Sequence, residues 1–399
     1  MAPNTDHLKL PFFDDAHRSL AAGLVEWAGR QEVNETDDRA ACREWVTLLG
    51  EGGWLRYCVP ATFGGALPKL DSRALVILRE TLAFHSPLAD FAFAMQGLGS
   101  GAITLGGTAE QQAAYLPDVA SGKKIAAFAL SEADAGSDAG AMTTSAMQTK
   151  KGWAINGSKT WISNGGIADF YVTFVKTEPD MGTSGITPFI VDATTVGLDA
   201  SEHIAVMAPH PLATLVFKNC VVPSNSQLGA LNGGFKLAMQ TLDIFRASVA
   251  AAALGMARRA LAEAVSYAKQ RSMFGGKLAD FQLTQAKLGE MAALVDAAAL
   301  LTYRAAWLRD EGERTGNTAR VTPEADKRRD VSVAAAMAKM AATENAQRVI
   351  DMALQMHGGL GVKVGTKVES LYRDIRSLRI YEGATEVQQL IIGKALIKG

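Results

Sequence analysis

Apolar residues recur at three- or four-residue spacing between residues 15 and 122, which is the period of an amphipathic helix. Pro60 and the pair Gly64-Gly65 interrupt the pattern, so several separate helices are predicted. Residues 1–122 are therefore predicted to form an α-helical N-terminal domain.

Three glycines, Gly97, Gly99 and Gly101, lie late in this segment, in a stretch with few bulky side chains. Small residues at alternate positions let helices pack closely, or they leave room for a ligand. The sequence leaves both explanations open.

The pattern changes near Ile125 to short alternating or apolar runs separated by turn residues such as Asn156-Gly157, which predicts strands. Residues 123–230 are therefore predicted to form a β domain, an antiparallel barrel or a sandwich. The predicted strands cover residues 125–131, 141–149, 153–161, 170–176, 186–191 and 215–222.

The helical period returns after Gly233-Gly234 and is kept to the end of the chain. Four helices are predicted, and together they form a four-helix bundle over residues 231–399. The polar stretch 311–323, which contains Gly316, is predicted to be a loop. The predicted helices cover residues 234–275, 280–310 and 324–358, and the segment after Gly383.

The formal net charge of −1 argues against strong general affinity for nucleic acid or an anionic membrane. The charge is unevenly distributed, since residues 231–399 contain 24 Lys and Arg against 17 Asp and Glu. This basic half is suited to binding phosphates, or it is a solvated surface.

The three cysteines form no C-x-x-C pair, which predicts neither a disulfide framework nor a zinc site and fits a reducing compartment. The N-terminus has no apolar signal core, and Asp6, Asp14 and Asp15 are atypical of a transit peptide. No stretch is expected to span a bilayer. A cytoplasmic location is expected.

A carboxylate directly precedes a glycine at Glu382-Gly383, after the aromatic Tyr381 and before an apolar run. A partly dry pocket at the mouth of the last helix would raise the pKa of this carboxyl group and suit it to proton abstraction. The alternative is an acidic residue in the first turn of that helix, stabilised by the helix dipole.

Two stretches of the β domain combine groups that bind ligands. A predicted strand leads through Ser131 into a Gly-Ser-Asp turn containing Ser137, which offers backbone N–H groups and a hydroxyl. Further on, Trp161 offers an aromatic plane for a flat ring system, and Ser163 offers a hydroxyl. Trp161 is alternatively a core residue of the barrel.

The C-terminal helices carry further candidates. Asp243 and Arg246 lie one turn apart on one helix and bind a ligand or simply form an ion pair. Arg271, Phe274 and Gln282 place a cation, an aromatic ring and an amide at the ends of two helices. They are suited to a pyrophosphate and an adenine, or they cap the helices.

Taken together, these stretches resemble the acyl-CoA dehydrogenase family over essentially the whole chain. The resemblance implies a helical N-terminal domain, a β-barrel middle domain and a C-terminal four-helix bundle. It also implies an FAD cofactor and the oxidation of an acyl-CoA thioester to the trans-2-enoyl-CoA.

The resemblance assigns roles to individual residues, with Ser163 near the flavin N5 and Ser137 at the CoA portion. Asp243, Arg246 and Gly383 are implied to line the acyl-CoA site. The residues implied to contact the cofactor within one subunit are Phe128, Leu130, Ser131, Ser137, Trp161, Ile162, Ser163, Ala384 and Glu386. Those implied to contact the FAD of a neighbouring subunit are Arg271, Phe274, Gln282, Gln355, Gly358 and Gly359.

The resemblance makes Glu382 the base that removes the α-proton while the β-hydride leaves to flavin N5. A subgroup of the family places its base on the earlier long helix, where this chain has Phe245. Electrons are implied to pass to an electron-transferring flavoprotein, and a homotetramer built as a dimer of dimers is implied. The alternatives are an oxygen-using or acyl-carrier-protein-directed relative, or a non-catalytic flavin-binding scaffold associated with DNA.

Four features depart from the family pattern, one of which is a somewhat longer loop near Gly316. Ala384 stands where a threonine often contacts the cofactor, and Glu132-Ala133 stands where Glu-Pro is usual. The stretch around His210, Ala-Pro-His-Pro, replaces a stretch that usually contains glycine and arginine. The acyl chain length remains open.

Overall fold

The computed structural model describes residues 1–314 and 324–398, so the loop near Gly316 lies outside the described residues. In those residues the helices are α1 (Asp15–Ala28), α2 (Asp38–Glu51), α3 (Ser72–His85), α4 (Pro87–Gly106), α5 (Ala109–Ala120), α6 (Gly234–Gln270), α7 (Gln282–Arg314), α8 (Glu324–Met356), α9 (Lys367–Leu378) and α10 (Thr385–Lys398). The strands are β1 (Ala126–Ala129), β2 (Ser145–Thr149), β3 (Gly152–Ser163), β4 (Phe170–Lys176), β5 (Ile186–Asp192), β6 (Leu198–Ile204), β7 (Leu212–Val222), β8 (Ser272–Met273) and β9 (Gly276–Lys277).

Polar side chains fix where several helices begin. Asp14, Asp37, Asp71 and Thr108 precede α1, α2, α3 and α5, and each accepts a hydrogen bond from a backbone N–H of the first turn. The first N–H groups of a helix have no partner within the helix, so these caps satisfy them.

The chain forms two compact units. One contains residues 1–31, 71–90 and 246–399, and the other contains residues 32–70 and 91–245. The domain boundaries expected from the sequence, after residues 122 and 230, stay a prediction.

In the first unit, α6 packs closely against α3. A Cβ atom added to Gly255 of α6 would lie 2.1 Å from the backbone oxygen of Glu80, so only glycine allows this approach. Beside it, the Glu80 carboxylate is 2.6 Å from Nε of Arg258 and accepts a hydrogen bond of 2.7 Å from the Tyr303 hydroxyl. The buried Glu80 carboxylate therefore has both a cation and a hydrogen-bond donor as partners.

The C-terminal part of this unit has the four long helices expected from the sequence, α6, α7, α8 and α10, with α7 and α10 packed on α8. Helix α7 continues to Arg314, so the prediction that a loop begins at residue 311 was wrong by four residues. Helix α9 and the β8–β9 hairpin were not predicted. Helix α9 buries Val368, Leu371, Ile375 and Leu378 at helical spacing, but it is short and otherwise polar.

The second unit contains a seven-stranded sheet with the order β1-β4-β2-β3-β7-β6, in which β5 pairs with β4. The sheet is mixed rather than antiparallel, because β1 and β4 are parallel. The β2–β3 pair lies between them in sequence, so no hairpin joins them. Strand β6 was not predicted, since its largely exposed residues show no apolar alternation.

The glycines of α4 serve helix packing in this unit. A Cβ at Gly97 would lie 2.6 Å from the Phe245 ring, and one at Gly101 would lie 2.9 Å from Thr241 of α6. A Cβ at Gly99 would lie 2.7 Å from the backbone nitrogen of Ala127. The structure thus favours close packing over space for a ligand at these positions.

Two helical segments are long and apolar enough to cross a membrane by composition, so the expectation that no stretch qualifies was wrong. Gly234–Gln270 and Gln282–Gly312 each contain a window with mean hydropathy 1.3. The first window is 78% buried within the fold and the second 44%. Core helices of soluble proteins pass the same test, so this is weak evidence for a membrane span.

Candidate active site

The turn between α9 and α10 places Glu382 three residues before α10 begins at Thr385. It is therefore not in the first helical turn. Glu382 has a φ of 51° and Gly383 a φ of 90°, so two consecutive residues are left-handed. This conformation is unusual for glutamate and strains the backbone. At Gly383 a Cβ would lie 2.4 Å from Nε2 of Gln388, and the left-handed backbone would strain any other residue, so the second position favours glycine.

The Glu382 carboxylate is shielded and incompletely paired. The residue is partly exposed as a whole, but its Oε2 atom is buried and has no hydrogen-bond partner among the described residues. Burial raises the pKa of this carboxyl group, while Arg79, Lys339 and Arg246 act in the opposite direction. The result is a raised pKa with cations nearby, which suits a group that accepts and releases a proton.

A buried ion pair provides one of those cations. Nε and Nη2 of Arg79 lie 2.8 and 2.9 Å from the two carboxylate oxygens of Asp90, and Nη1 donates to Ser248 at 3.0 Å. Because its guanidinium binds both oxygens of Asp90 and the Ser248 hydroxyl, Arg79 has a fixed position. It acts on Glu382 as a fixed positive charge.

Four of the residues implied to bind FAD meet at one cavity in the same unit. Arg271, Gln355, Gly358 and Gly359 line a cavity of about 620 Å³. A Cβ at either glycine would meet nothing within 4 Å, so their backbone faces open space.

Phe274 and Gln282 do not line this cavity. The Phe274 side chain is 89% exposed on a left-handed backbone with φ 49°, and Gln282 is exposed at the start of α7. Exposed aromatic rings of this kind are typical of binding surfaces. Glu386, also implied to contact the cofactor, is exposed in the first turn of α10, and Ala384 is partly buried beside Gly383.

In the second unit, the end of β3 presents Trp161 outward. Its side chain is 57% exposed and its φ is 60°, within an irregularity of the β3–β7 pairing, while the next residue, Ile162, is buried. Trp161 is therefore not a core residue. Ser163 lies 3.2 Å from Nε2 of His210, whose ring packs 3.9 Å from that of Phe91.

The remaining candidates of this unit lie on or after β1. Leu130 is buried, and the backbone oxygen of Ser131 accepts a hydrogen bond from Thr160 at 3.0 Å. The ring of Phe128 packs against Phe174 at 4.8 Å. Two further candidates are the exposed Ser137 and the partly buried Asp243 of α6.

Sequence reasoning missed the buried charges around Glu382. Lys339 is fully buried on α8 among alanines such as Ala335 and Ala342. A lysine on an otherwise apolar helix face is a detectable signal, because burying an ammonium group requires a partner. Arg79 and Asp90 gave no such signal, since polar residues in amphipathic helices usually face water.

Sequence models of the acyl-CoA dehydrogenase N-terminal, middle and C-terminal domains match residues 14–123, 127–220 and 232–397. The chain belongs to the acyl-CoA dehydrogenase family. The 3-(aryl)acrylate reductase of Clostridium sporogenes is 39% identical over 394 residues, which cover 97% of this chain and 100% of that protein. Subunit CarC of the caffeyl-CoA reductase-Etf complex of Acetobacterium woodii is 36% identical over 388 residues, or 96% of each chain.

A solved structure agrees with the family assignment. Butyryl-CoA dehydrogenase of Megasphaera elsdenii matches with a TM-score of 0.86 at 32% identity, covering 96% of this chain and 99% of that one. The predicted fold and reaction classes are confirmed. This acyl-CoA dehydrogenase family member is an FAD-dependent oxidoreductase of the acyl-CoA α,β bond.

The residues present fit FAD. At the cavity, Arg271 supplies a cation for the pyrophosphate, and the open backbone at Gly358 and Gly359 permits close approach of a ligand. In the other unit, the exposed indole of Trp161 provides a flat surface for a ring system.

Proposed function

We propose that Glu382 is the residue that exchanges the α-proton of the acyl-CoA thioester. The observation that carries this proposal is the buried Oε2 atom without a hydrogen-bond partner. An unpaired carboxylate oxygen in a shielded place is costly unless a ligand uses it. The C–H group of a bound substrate does not form a strong hydrogen bond with Oε2 before the reaction. The Oε2 atom therefore stays basic until it takes the proton.

The neighbouring charges suit Glu382 to this role. A thioester α-proton is weakly acidic, so the base must be ionised before the reaction and yet have a raised pKa. Burial raises the pKa of Glu382, and Arg79, Lys339 and Arg246 limit the rise. Bound FAD would supply the acceptor for the hydride that leaves the β-carbon. Phe245 occupies the position of the alternative base and has no proton-accepting group.

We further propose that the acyl group is 3-aryl-substituted and that the enzyme also works as an enoyl-CoA reductase. Of the two relatives named above, one is a 3-(aryl)acrylate reductase and the other is a subunit of a caffeyl-CoA reductase-Etf complex. In the reductive direction a protonated Glu382 delivers the proton to the α-carbon, since both directions share one transition state. The raised pKa of Glu382 also favours its protonated form, which is the form that donates the proton.

An electron-transferring flavoprotein is the proposed electron partner, supported by the Etf complex to which CarC belongs. A homotetramer is proposed because large apolar side chains of the first unit are exposed to solvent in the single chain. These side chains include Phe274, which is 89% exposed, Leu283 at 86%, Val364 at 80% and Ile397 at 88%. Sedimentation of the protein at micromolar concentration would test the proposed tetramer. A cytoplasmic location is proposed because Cys42 and Cys220 are buried thiols that form no disulfide among the described residues.

The test uses anaerobic mixing of the FAD-loaded protein with acyl-CoAs, including 3-phenylpropanoyl-CoA and butanoyl-CoA, while flavin absorbance is followed. We expect Glu382→Gln to retain FAD and bind acyl-CoA but to reduce its flavin about 10²- to 10⁴-fold more slowly. Glu51→Gln, which changes an exposed carboxylate of α2, is the control and should match the wild type.

Near-normal flavin reduction by Glu382→Gln would remove Glu382 from this role. Dithionite-reduced protein mixed with cinnamoyl-CoA tests the reductive direction, and reoxidation of the flavin is expected. Faster reaction with butanoyl-CoA than with 3-phenylpropanoyl-CoA would contradict the proposed aryl group.

A further inference from the structure

Helix α8 buries a lysine under the turn that carries Glu382. The Lys339 side chain has no exposed surface, and its Nζ donates a hydrogen bond of 2.6 Å to the backbone oxygen of Gly383. The buried side chain of Gln388 donates to the same oxygen at 2.8 Å. Two donors therefore fix the peptide that follows Gly383.

The same helix holds both flanks of the turn. The Glu344 carboxylate accepts a hydrogen bond of 2.8 Å from Nε of Arg379 and one of 2.6 Å from the Thr385 hydroxyl. Together with Lys339, it attaches α8 to the turn before, at and after the left-handed residues. Strained backbone persists only where surrounding contacts determine it, and these contacts do so.

The charge of Lys339 also acts on the Glu382 carboxylate, which lies one residue before the carbonyl that Lys339 binds. Burial, together with Arg246 of α6, lowers the pKa of Lys339 to about 8 against the opposing effect of Glu382. Glu344 of α8 and Glu386 of α10 act in the same direction as Glu382. Lys339 is thus mainly protonated at neutral pH, and its positive charge favours the ionised form of Glu382.

We infer that Lys339 is the positioning residue of the active-site turn, holding the Gly383 carbonyl in place and keeping the Glu382 carboxylate ionised. This inference rests on the proposed role of Glu382. Lys339 does not itself take the substrate proton. Its contribution is to the geometry and charge state of Glu382.

Two variants separate the effect of the Lys339 charge from the effect of a hydrogen bond to the Gly383 oxygen. Lys339→Met removes the donor and the charge, whereas Gln388→Met removes a neutral donor to the same oxygen. The readout is the second-order rate constant of anaerobic flavin reduction at low acyl-CoA concentration across pH 5 to 10, which, like kcat/KM, reports the essential groups of the free enzyme. FAD content and thermal unfolding are measured on each variant.

Removing the cation destabilises the Glu382 carboxylate and raises its pKa, so activity should be lost at a higher pH on acidification. We expect Lys339→Met to move this acid limb upward by about one pH unit, the lower end of the effect of a nearby opposite charge. Gln388→Met should leave the limb in place. Lys339→Arg, which keeps the charge, should also leave it in place.

An unmoved acid limb in Lys339→Met, or an equal move in Gln388→Met, would overturn the inference. If Lys339→Met does not assemble, Lys339→Gln takes its place, because it keeps an N–H donor without the charge. Glu382→Gln separates a failure of the proposed role of Glu382 from a failure of the proposed role of Lys339. If that variant still reduces its flavin, the proposed role of Glu382 fails, whereas an inactive Glu382→Gln with an unmoved Lys339→Met limb refutes only Lys339.

Discussion

Replacing Lys159 tests how the β domain supports the residues implied to contact the flavin. Its Nζ is completely buried and lies 2.8 Å from Oε1 of Glu132 and 2.9 Å from the backbone oxygen of Leu130. The carboxylate also accepts hydrogen bonds from the backbone of Thr143 at 2.7 Å and of Thr144 at 3.0 Å. The pair therefore joins β3 to the segment after β1.

Breaking such a pair costs more than removing it. Lys159→Met leaves a buried carboxylate without its cation, and a loss of about 3–5 kcal/mol in unfolding free energy is expected. The double change Lys159→Met with Glu132→Gln removes both charges and should cost far less. Glu132→Gln alone should be intermediate, because burial already lowers the pKa of Lys159 to about 8 and the amine can lose its proton.

The contribution of the Glu132–Lys159 pair to folding stability should decrease as the pH falls. Burial raises the pKa of Glu132, but Lys159 and the hydrogen bonds outweigh it and lower the pKa from 4.5 to about 2. A carboxyl group whose pKa is lower in the folded state stabilises the fold above pH 4.5, and this contribution is lost as the pH falls towards 2. The Lys159→Met variant should therefore lose less stability over that range than the wild type.

Urea unfolding followed by circular dichroism measures these effects, with FAD saturation and protein concentration held equal because both alter apparent stability. The expected order of stability is wild type and double variant together, then Glu132→Gln, then Lys159→Met. A double variant as unstable as Lys159→Met would refute the pairing argument. So would a Lys159→Met cost below about 1 kcal/mol, the range typical of exposed pairs.

Two further predictions concern packing and protonation in the same unit. Gly97→Ala forces a Cβ to within 2.6 Å of the Phe245 ring, so denaturation should show a loss of about 1–3 kcal/mol that Phe245→Leu partly restores. No recovery in the double variant would contradict this. Burial lowers the pKa of His210 from 6.5 to about 3, so stability should fall as the pH drops between these values. His210→Gln should flatten that fall in an acid titration of the unfolding midpoint, and an unchanged slope would exclude His210 as its source.

The parts of the fold that could be predicted from the sequence were those with a long or regular pattern. Helices α6, α7 and α8 repeat apolar residues over many turns, and β4 was predicted with its observed bounds. Strand β6 lacked the signal, because neither of its faces is buried. The parallel pairing of β1 and β4 is a property of chain topology, which local periodicity does not encode.

The candidate site also has parts that could be predicted from the sequence and parts that could not. Glu382 and Gly383 form a recognisable motif, and Arg271, Gln355 and Gly358 proved to be neighbours at one cavity. The surroundings of Glu382 were not predictable, because Arg79 and Lys339 come from helices far apart in sequence. Their charges act only once tertiary packing has brought them together and excluded water.

Backbone conformation offers an independent indication of the site. In the described residues, the non-glycine positions with positive φ are three asparagines and three larger residues, Trp161, Phe274 and Glu382. Asparagine tolerates this region, but for other residues it costs about 1–2 kcal/mol. All three larger residues had already been assigned to the cofactor or to catalysis from sequence. In two of them the strained turn leaves an aromatic ring mostly exposed, and in the third it leaves a carboxylate oxygen without a partner. A fold gains no stability from such features, so their coincidence favours ligand binding as the reason for the strain.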